Sequence, residues 1–136
     1  MEESRTEIIQ GKGQKILIVD DEIEICKVMA ELVEMLGYQR AYASSGKEAL
    51  EKFRTWHPDA VLLDRSMPDM DGLRSAEKMV DFDPDARIII ISGYEEDGPS
   101  GIGMAAKKLI KGYLTKPIDM GKLSRMLAGI LDDATV

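Results

Sequence analysis

Ala60-Val61-Leu62-Leu63-Asp64-Arg65-Ser66-Met67-Pro68-Asp69-Met70-Asp71-Gly72 is the stretch from which the fold is read. Four apolar residues, a strand's worth, run directly into a carboxylate. Pro68 cannot continue a sheet ladder, and Gly72 stands where a helix would start. In an open α/β sheet, ligands bind beyond the carboxyl ends of the strands. A carboxylate that closes a strand is therefore a site candidate. An isolated aspartate there reads more simply as a turn cap, and three further strand ends change that reading.

Lys15-Ile16-Leu17-Ile18-Val19 runs into the adjacent acids Asp20 and Asp21, with Glu22 next. Neighbouring carboxylates repel and need a counter-charge. A hard divalent cation such as Mg²⁺ supplies one through oxygen ligands. Arg87-Ile88-Ile89-Ile90-Ile91 ends in the hydroxyl of Ser92. Tyr113-Leu114-Thr115 ends in the ammonium of Lys116, followed by Pro117. Two acids, a third acid, a hydroxyl and a lysine suit a site that holds Mg²⁺ and binds a phosphoryl group.

In this order and approximate spacing, Asp20-Asp21, the Asp64 to Gly72 run, Ser92 and Lys116-Pro117 resemble the receiver domain of two-component response regulators, particularly its stand-alone, chemotaxis-regulator-like form. The resemblance covers about residues 14 to 132. It implies that Asp64 accepts the phosphoryl group and that Asp20, Asp21, Asp64 and the main-chain carbonyl of Ser66 hold Mg²⁺. It also implies that Ser92 contacts the phosphoryl group, that Lys116 pairs with it, and that the Lys116-Pro117 bond is cis. Ser92 and Tyr113 become the switch pair, Tyr113 being the aromatic that turns on phosphorylation. Ser66 and Tyr94 fall at positions that modulate how fast the phosphoryl group is lost. The expected partners are a sensor histidine kinase or phosphotransfer protein and a downstream protein target. That target would meet the surface formed by the fourth helix, fifth strand and fifth helix. A monomer or weak homodimer is expected. Leu109-Ile110 departs from the Gly-Ala that many members carry there, which bears on the partner surface and not on the site.

The chain has 136 residues, of which 44% are hydrophobic, and a formal charge of −7. The length fits one domain with its own core. The acidic balance argues against a general nucleic-acid or membrane surface. One cysteine, Cys26, excludes an internal disulfide and lacks companions for a zinc site. No apolar run approaches a membrane span and no signal-peptide core is seen, so a cytoplasmic location is expected.

Residues 1–13 read as a flexible lead-in, 14–132 as the domain and 133–136 as a tail, with no output domain. Glu22 to Leu36 carries Ile25, Met29, Leu32 and Leu36 on one helical stripe, with Cys26 partly buried beside it. Gly37 is placed as a C′ residue. Tyr38 to Ala43 is polar enough for an edge strand. Ser45-Gly46-Lys47-Glu48 is a capping box ahead of Ala49, Leu50 and Phe53. Trp56 reads as a lid on that helix's end and His57 as a surface residue. Leu73, Ala76, Met79 and Val80 give the next helix its buried face, and Asp83-Pro84-Asp85 is a turn. The acidic, glycine-rich residues 93–103 lead into a short helix reaching Leu109. Ile110 to Leu114 is the last strand. Asp119 caps a final helix whose Leu123, Met126 or Leu127, and Ile130 face the sheet. Asp71 reads as a helix cap and Asp69 as solvated. Strands and helices alternate, five of each, which indicates a doubly wound α/β fold with a five-stranded parallel sheet and helices on both faces. The resemblance adds a flavodoxin-like strand order of 2-1-3-4-5.

Three functions fit these residues. A receiver would catalyse its own phosphorylation and slow dephosphorylation without being a multiple-turnover enzyme. A Mg²⁺-dependent aspartyl-phosphate phosphatase uses similar groups, but members of that superfamily carry an Asp-x-Asp nucleophile on the first strand. A non-phosphorylated adaptor would have no need of Asp20, Asp21, Asp64, Ser92 and Lys116 together.

Overall fold

The computed structural model describes residues 9–64, 72–92 and 110–132. Five strands are seen: β1 (Lys15–Val19), β2 (Gln39–Ala43), β3 (Ala60–Asp64), β4 (Ile88–Ser92) and β5 (Ile110–Thr115). They form one sheet in the order β2-β1-β3-β4-β5, with all four pairings parallel. Four helices are seen among the described residues: α1 (Ile23–Met35), α2 (Gly46–Trp56), α3 (Gly72–Phe82) and α4 (Met120–Asp132). The helix expected to reach Leu109 lies outside the described residues.

Alternation along the strands divides the core in two, as the two-residue period requires. Ile16, Ile18, Leu62, Ile89 and Ile91 face α1 and α4, while Leu17, Val19, Val61, Leu63, Ile88 and Ile90 face α2 and α3. Helices on both faces explain why β1, β3 and β4 are apolar almost throughout. The polar strand β2 occupies an edge, as its sequence implied.

Local signals set the helix ends. Ser45 accepts from the Glu48 N–H at 3.1 Å, and Glu48 Oε1 accepts from the Ser44 N–H at 2.8 Å. The box thus closes one residue before the N-cap. Gly37 adopts φ +92°, the Tyr38 N–H reaches Val33 O and the Gly37 N–H reaches Glu34 O. That pair of bonds is a Schellman closure. Asp83 Oδ1 accepts from the Asp85 N–H and so fixes the turn into β4. Asp119 Oδ1 accepts from the Gly121 N–H at the start of α4.

Two helices bury a set only partly the one expected: Met29 and Leu36, and Leu123 and Leu127, are buried as read, and their neighbours differ. In α1 the buried side chains are Cys26, Met29, Ala30 and Val33, with Leu36 just beyond, whereas Ile25 and Leu32 are only partly buried. The sequence carries two adjacent apolar stripes, and the one with the small residues Cys26 and Ala30 lies closest to the sheet. In α4, Leu123, Leu127 and Leu131 are buried, and Met126 and Ile130 pack at the margin. Gly112 of β5 lets α4 approach there: a Cβ on it would lie 2.7 Å from Met126 Sδ.

Candidate functional site

The parallel registers bring the chemical groups to one edge of the sheet. Val19 pairs with Leu63, so Asp20 falls beside Asp64. Asp64 pairs with Ile91, which puts Ser92 on the next strand, and Ser92 pairs with Thr115, just before Lys116. The Lys116 N–H donates to Ser92 O at 2.8 Å, which fixes the turn carrying the lysine. The Lys116-Pro117 peptide bond is cis.

One carboxylate oxygen from each of Asp20, Asp21 and Asp64 can be chosen so that all three lie within 4.8 Å of one another. Asp20 and Asp64 are buried and Asp21 is exposed. An all-oxygen, all-anionic set that opens to solvent on one side is the donor chemistry a hard divalent cation takes. Lys116 Nζ lies 3.3 Å from Asp20 Oδ2 and 3.7 Å from Asp64 Oδ1. Burial alone would lower the lysine's pKa, but Asp64 first and Asp20 second outweigh it and hold the ammonium above its ordinary value. The amine stays charged at any physiological pH.

Two backbone contacts position Asp20. Its Oδ1 accepts from the Glu22 N–H at 2.9 Å, leaving Oδ2 for the ammonium. Behind it, the Cys26 thiol donates to Asp20 O at 3.1 Å and lies 3.6 Å from Ala43 O. Cys26 is fully buried, correcting the partly buried packing role expected from sequence. Desolvation, with the nearby Asp20 charge second, pushes its pKa up to about 11. Its sequence signal was slight: a small side chain six residues after Asp20, on the second stripe of α1.

Among the other expected site residues, Ser92 is buried at the end of β4. Tyr113 is half-buried on the α2/α3 side of the sheet, packed at the margin of that core. Ser66 and Tyr94 lie outside the described residues, as do Asp69 and Asp71. His57 is exposed and stacks on Phe82. Trp56 packs by Lys15, at the opposite end of β1 from Asp20.

Residues 16–128 match the family model of the response regulator receiver domain. The chain belongs to that family. Among similar proteins, chemotaxis protein CheY of Treponema pallidum is 33% identical over 126 residues, covering 89% of this chain and 85% of that one. Transcriptional regulatory protein ZraR of Klebsiella oxytoca is 35% identical over 90% of this chain, which spans only 27% of that longer protein. Among solved structures, the response regulator TrrA of Thermotoga maritima, in complex with Mg²⁺-BeF, superposes with a TM-score of 0.78. It is 30% identical, with 87% of this chain and 99% of that chain covered. As a receiver domain, the chain is built for two-component signalling. No described helix is long and apolar enough to cross a membrane.

Proposed function

We propose that this receiver is a phosphorylation-dependent switch whose Asp64 takes a phosphoryl group from a histidine kinase or phosphotransfer protein in a Mg²⁺-dependent reaction. The observation that carries the reading is the meeting of Asp20, Asp21 and Asp64 oxygens within 4.8 Å, with Lys116 reaching both buried acids. Asp20, Asp21 and Asp64 fit the metal and would hold it; Ser66, expected as a further ligand, lies outside the described residues. When bound, Mg²⁺ neutralises charge on the phosphoryl oxygens. In the transfer, an Asp64 carboxylate oxygen forms the bond to phosphorus. The phosphorus–nitrogen bond of the donor breaks, and the donor imidazole keeps the electron pair and takes up a proton. Lys116 stays protonated and offsets the added charge, for which its raised pKa suits it. Ser92 donates a hydrogen bond to the product.

The output follows from what flanks Ser92. Drawing its hydroxyl toward the product frees space for the half-buried Tyr113 ring to turn in, a local packing change read by a partner. Tyr113, Lys122, Arg125 and Met126 border a shallow concavity between β5 and α4, the described part of the expected partner face. The site is intracellular in this reading, since its donor is a cytoplasmic kinase module.

Intact-mass measurement with small acyl-phosphate and phosphoramidate donors, with and without Mg²⁺, tests the proposal. One phosphoryl mass is expected in wild type and none in Asp64→Asn. No mass gain with any donor favours the adaptor, and phosphate release over many cycles per second favours the phosphatase. Lys116→Ala is expected to label while losing the coupled change at Tyr113.

A further inference from the structure

Of the three acids that meet at the strand ends, Asp21 is the one whose position needs a cause. Asp64 belongs to β3 itself and is buried there. Asp20 is pinned by its N–H, which donates to Ala43 O at 3.1 Å, and by its carboxylate, which accepts from the Glu22 N–H and from Lys116. The Asp21 side chain is exposed, and no hydrogen bond or ion pair to it is seen among the described residues. Lys116 offsets Asp20 and Asp64 and leaves Asp21 facing two like charges. Repulsion should turn such a carboxylate out into solvent. Its oxygen nevertheless lies within 4.8 Å of oxygens of both other acids. What holds it there has to be the backbone from which it springs.

That backbone is the peptide between Asp20 and Asp21, a planar unit in which the Asp20 oxygen, the Asp21 nitrogen and the Asp21 Cα move together. Asp20 is buried, so its carbonyl needs a donor. Among the described residues that donor is the Cys26 thiol, at 3.1 Å. Cys26 is in turn well placed to hold something. Its N–H donates to Glu22 O at 3.1 Å and closes the first turn of α1. It lies on the buried face of that helix with Met29, Ala30 and Val33, packed against the sheet. Its sulfur also lies 3.6 Å from Ala43 O, the same carbonyl that receives the Asp20 N–H. The thiol therefore sits where the ends of β1 and β2 meet α1, and it touches the one peptide that aims Asp21. A side chain that only filled this space would leave a buried carbonyl to find a partner by turning the peptide, and Asp21 would turn with it.

We propose that Cys26 is a positioning residue for the cation site and acts through Asp21: its thiol holds the Asp20–Asp21 peptide plane and so keeps the exposed carboxylate beside those of Asp20 and Asp64. Its part in metal binding rests on the function proposed above; the hydrogen bond to Asp20 O does not.

The test uses the full chain and Mn²⁺, an ion that suits the same oxygen donors as Mg²⁺, titrated by electron paramagnetic resonance, with Mg²⁺ as competitor and circular dichroism to show an intact fold. Cys26→Ala should bind about tenfold more weakly, as loss of a supporting group does. Cys26→Ser, which puts a donor back, should recover most of that loss. In Asp21→Asn, itself a weaker binder, Cys26→Ala should change the affinity by less than about twofold, because the two changes remove one interaction. Wild-type affinity in Cys26→Ala overturns the proposal. So does a Cys26→Ser as weak as Cys26→Ala, which makes Cys26 a packing residue, or an undiminished loss in Asp21→Asn, which routes the effect through Asp20. Without any metal, the infrared S–H stretch of the wild type should lie below that of a free thiol, and a free-thiol frequency overturns the proposal as well. No saturable Mn²⁺ binding by the wild type overturns the metal site on which both readings rest, whereas wild-type binding that ignores Cys26 overturns this one alone.

Discussion

Replacing Asp20 by Asn separates the two roles its carboxylate plays. In the metal-free protein Asp20 is attracted by Lys116 at 3.3 Å and repelled by Asp64, whose oxygen lies within 4.8 Å. At an effective dielectric constant of about 20, the attraction is about 5 kcal/mol and the repulsion at least about 3.5 kcal/mol. The attraction must be discounted, since the lysine side chain is 30% exposed. Asp21, exposed to solvent, adds a weaker repulsion. The opposing terms nearly cancel, and Lys116 keeps Asp64 as a partner at 3.7 Å. Metal-free stability should therefore change by less than about 1 kcal/mol, although breaking a buried ion pair ordinarily costs about 3–5 kcal/mol. Mg²⁺ binding should behave differently. Removing even a supporting group from a metal site weakens affinity about 10–100-fold, and a direct ligand should count at least as much. For an illustrative wild-type Kd of about 1 mM, adding about 10 mM Mg²⁺ would stabilise by about 1.4 kcal/mol, and a variant with tenfold weaker binding would gain no more than about 0.4 kcal/mol. Urea unfolding at low salt, followed by circular dichroism with and without Mg²⁺, measures both numbers. An equal Mg²⁺ increment in the two proteins removes Asp20 from the metal site. A metal-free loss above about 2 kcal/mol shows that the ion pair, and not carboxylate repulsion, governs the cluster.

Cys26 should make stability fall at alkaline pH. Its folded pKa is raised from 9.0 to about 11, so the unfolded chain releases the thiol proton first and the native state holds more protons. The difference, absent below about pH 8, should reach about 1.4 kcal/mol by pH 10, and Cys26→Ala should lack that component in paired unfolding curves. Gly112→Ala drives a Cβ to 2.7 Å from Met126 Sδ. A loss of about 1–3 kcal/mol is expected, and Met126→Ala in the same chain should recover part of it; independent, additive losses would refute the contact. Ser45→Ala removes the 3.1 Å acceptor of the Glu48 N–H and should cost about 1 kcal/mol in thermal or urea unfolding. No loss would mean that water caps α2 equally well.

Much of the fold is legible because each strand carries its own stop signal. β1, β3 and β4 are short apolar runs ended by polar groups, and parallel pairing aligns those ends without any further instruction. The site's position is therefore a consequence of the strand pattern: Asp20, Asp64, Ser92 and Lys116 are written at four strand ends, and the sheet order makes them neighbours. Side-chain distances are another matter. That Lys116 would span both acids, or that the Glu22 N–H would take one oxygen of Asp20, depends on turn geometry that no periodicity encodes.

Where the sequence reading missed the buried face of α1, the reason lies in composition. A helix that is apolar at 25, 26, 28, 29, 30, 32, 33, 35 and 36 has no single stripe to find. Which side meets the sheet is settled by fit: Cys26 and Ala30 allow close approach, and the Cys26 thiol ends on Asp20 O. Ile25 and Leu32 then pack at the core's margin, and Val28 and Met35 are left exposed. An amphipathic surface helix needs about three to four apolar residues per two turns, and α1 carries more than that.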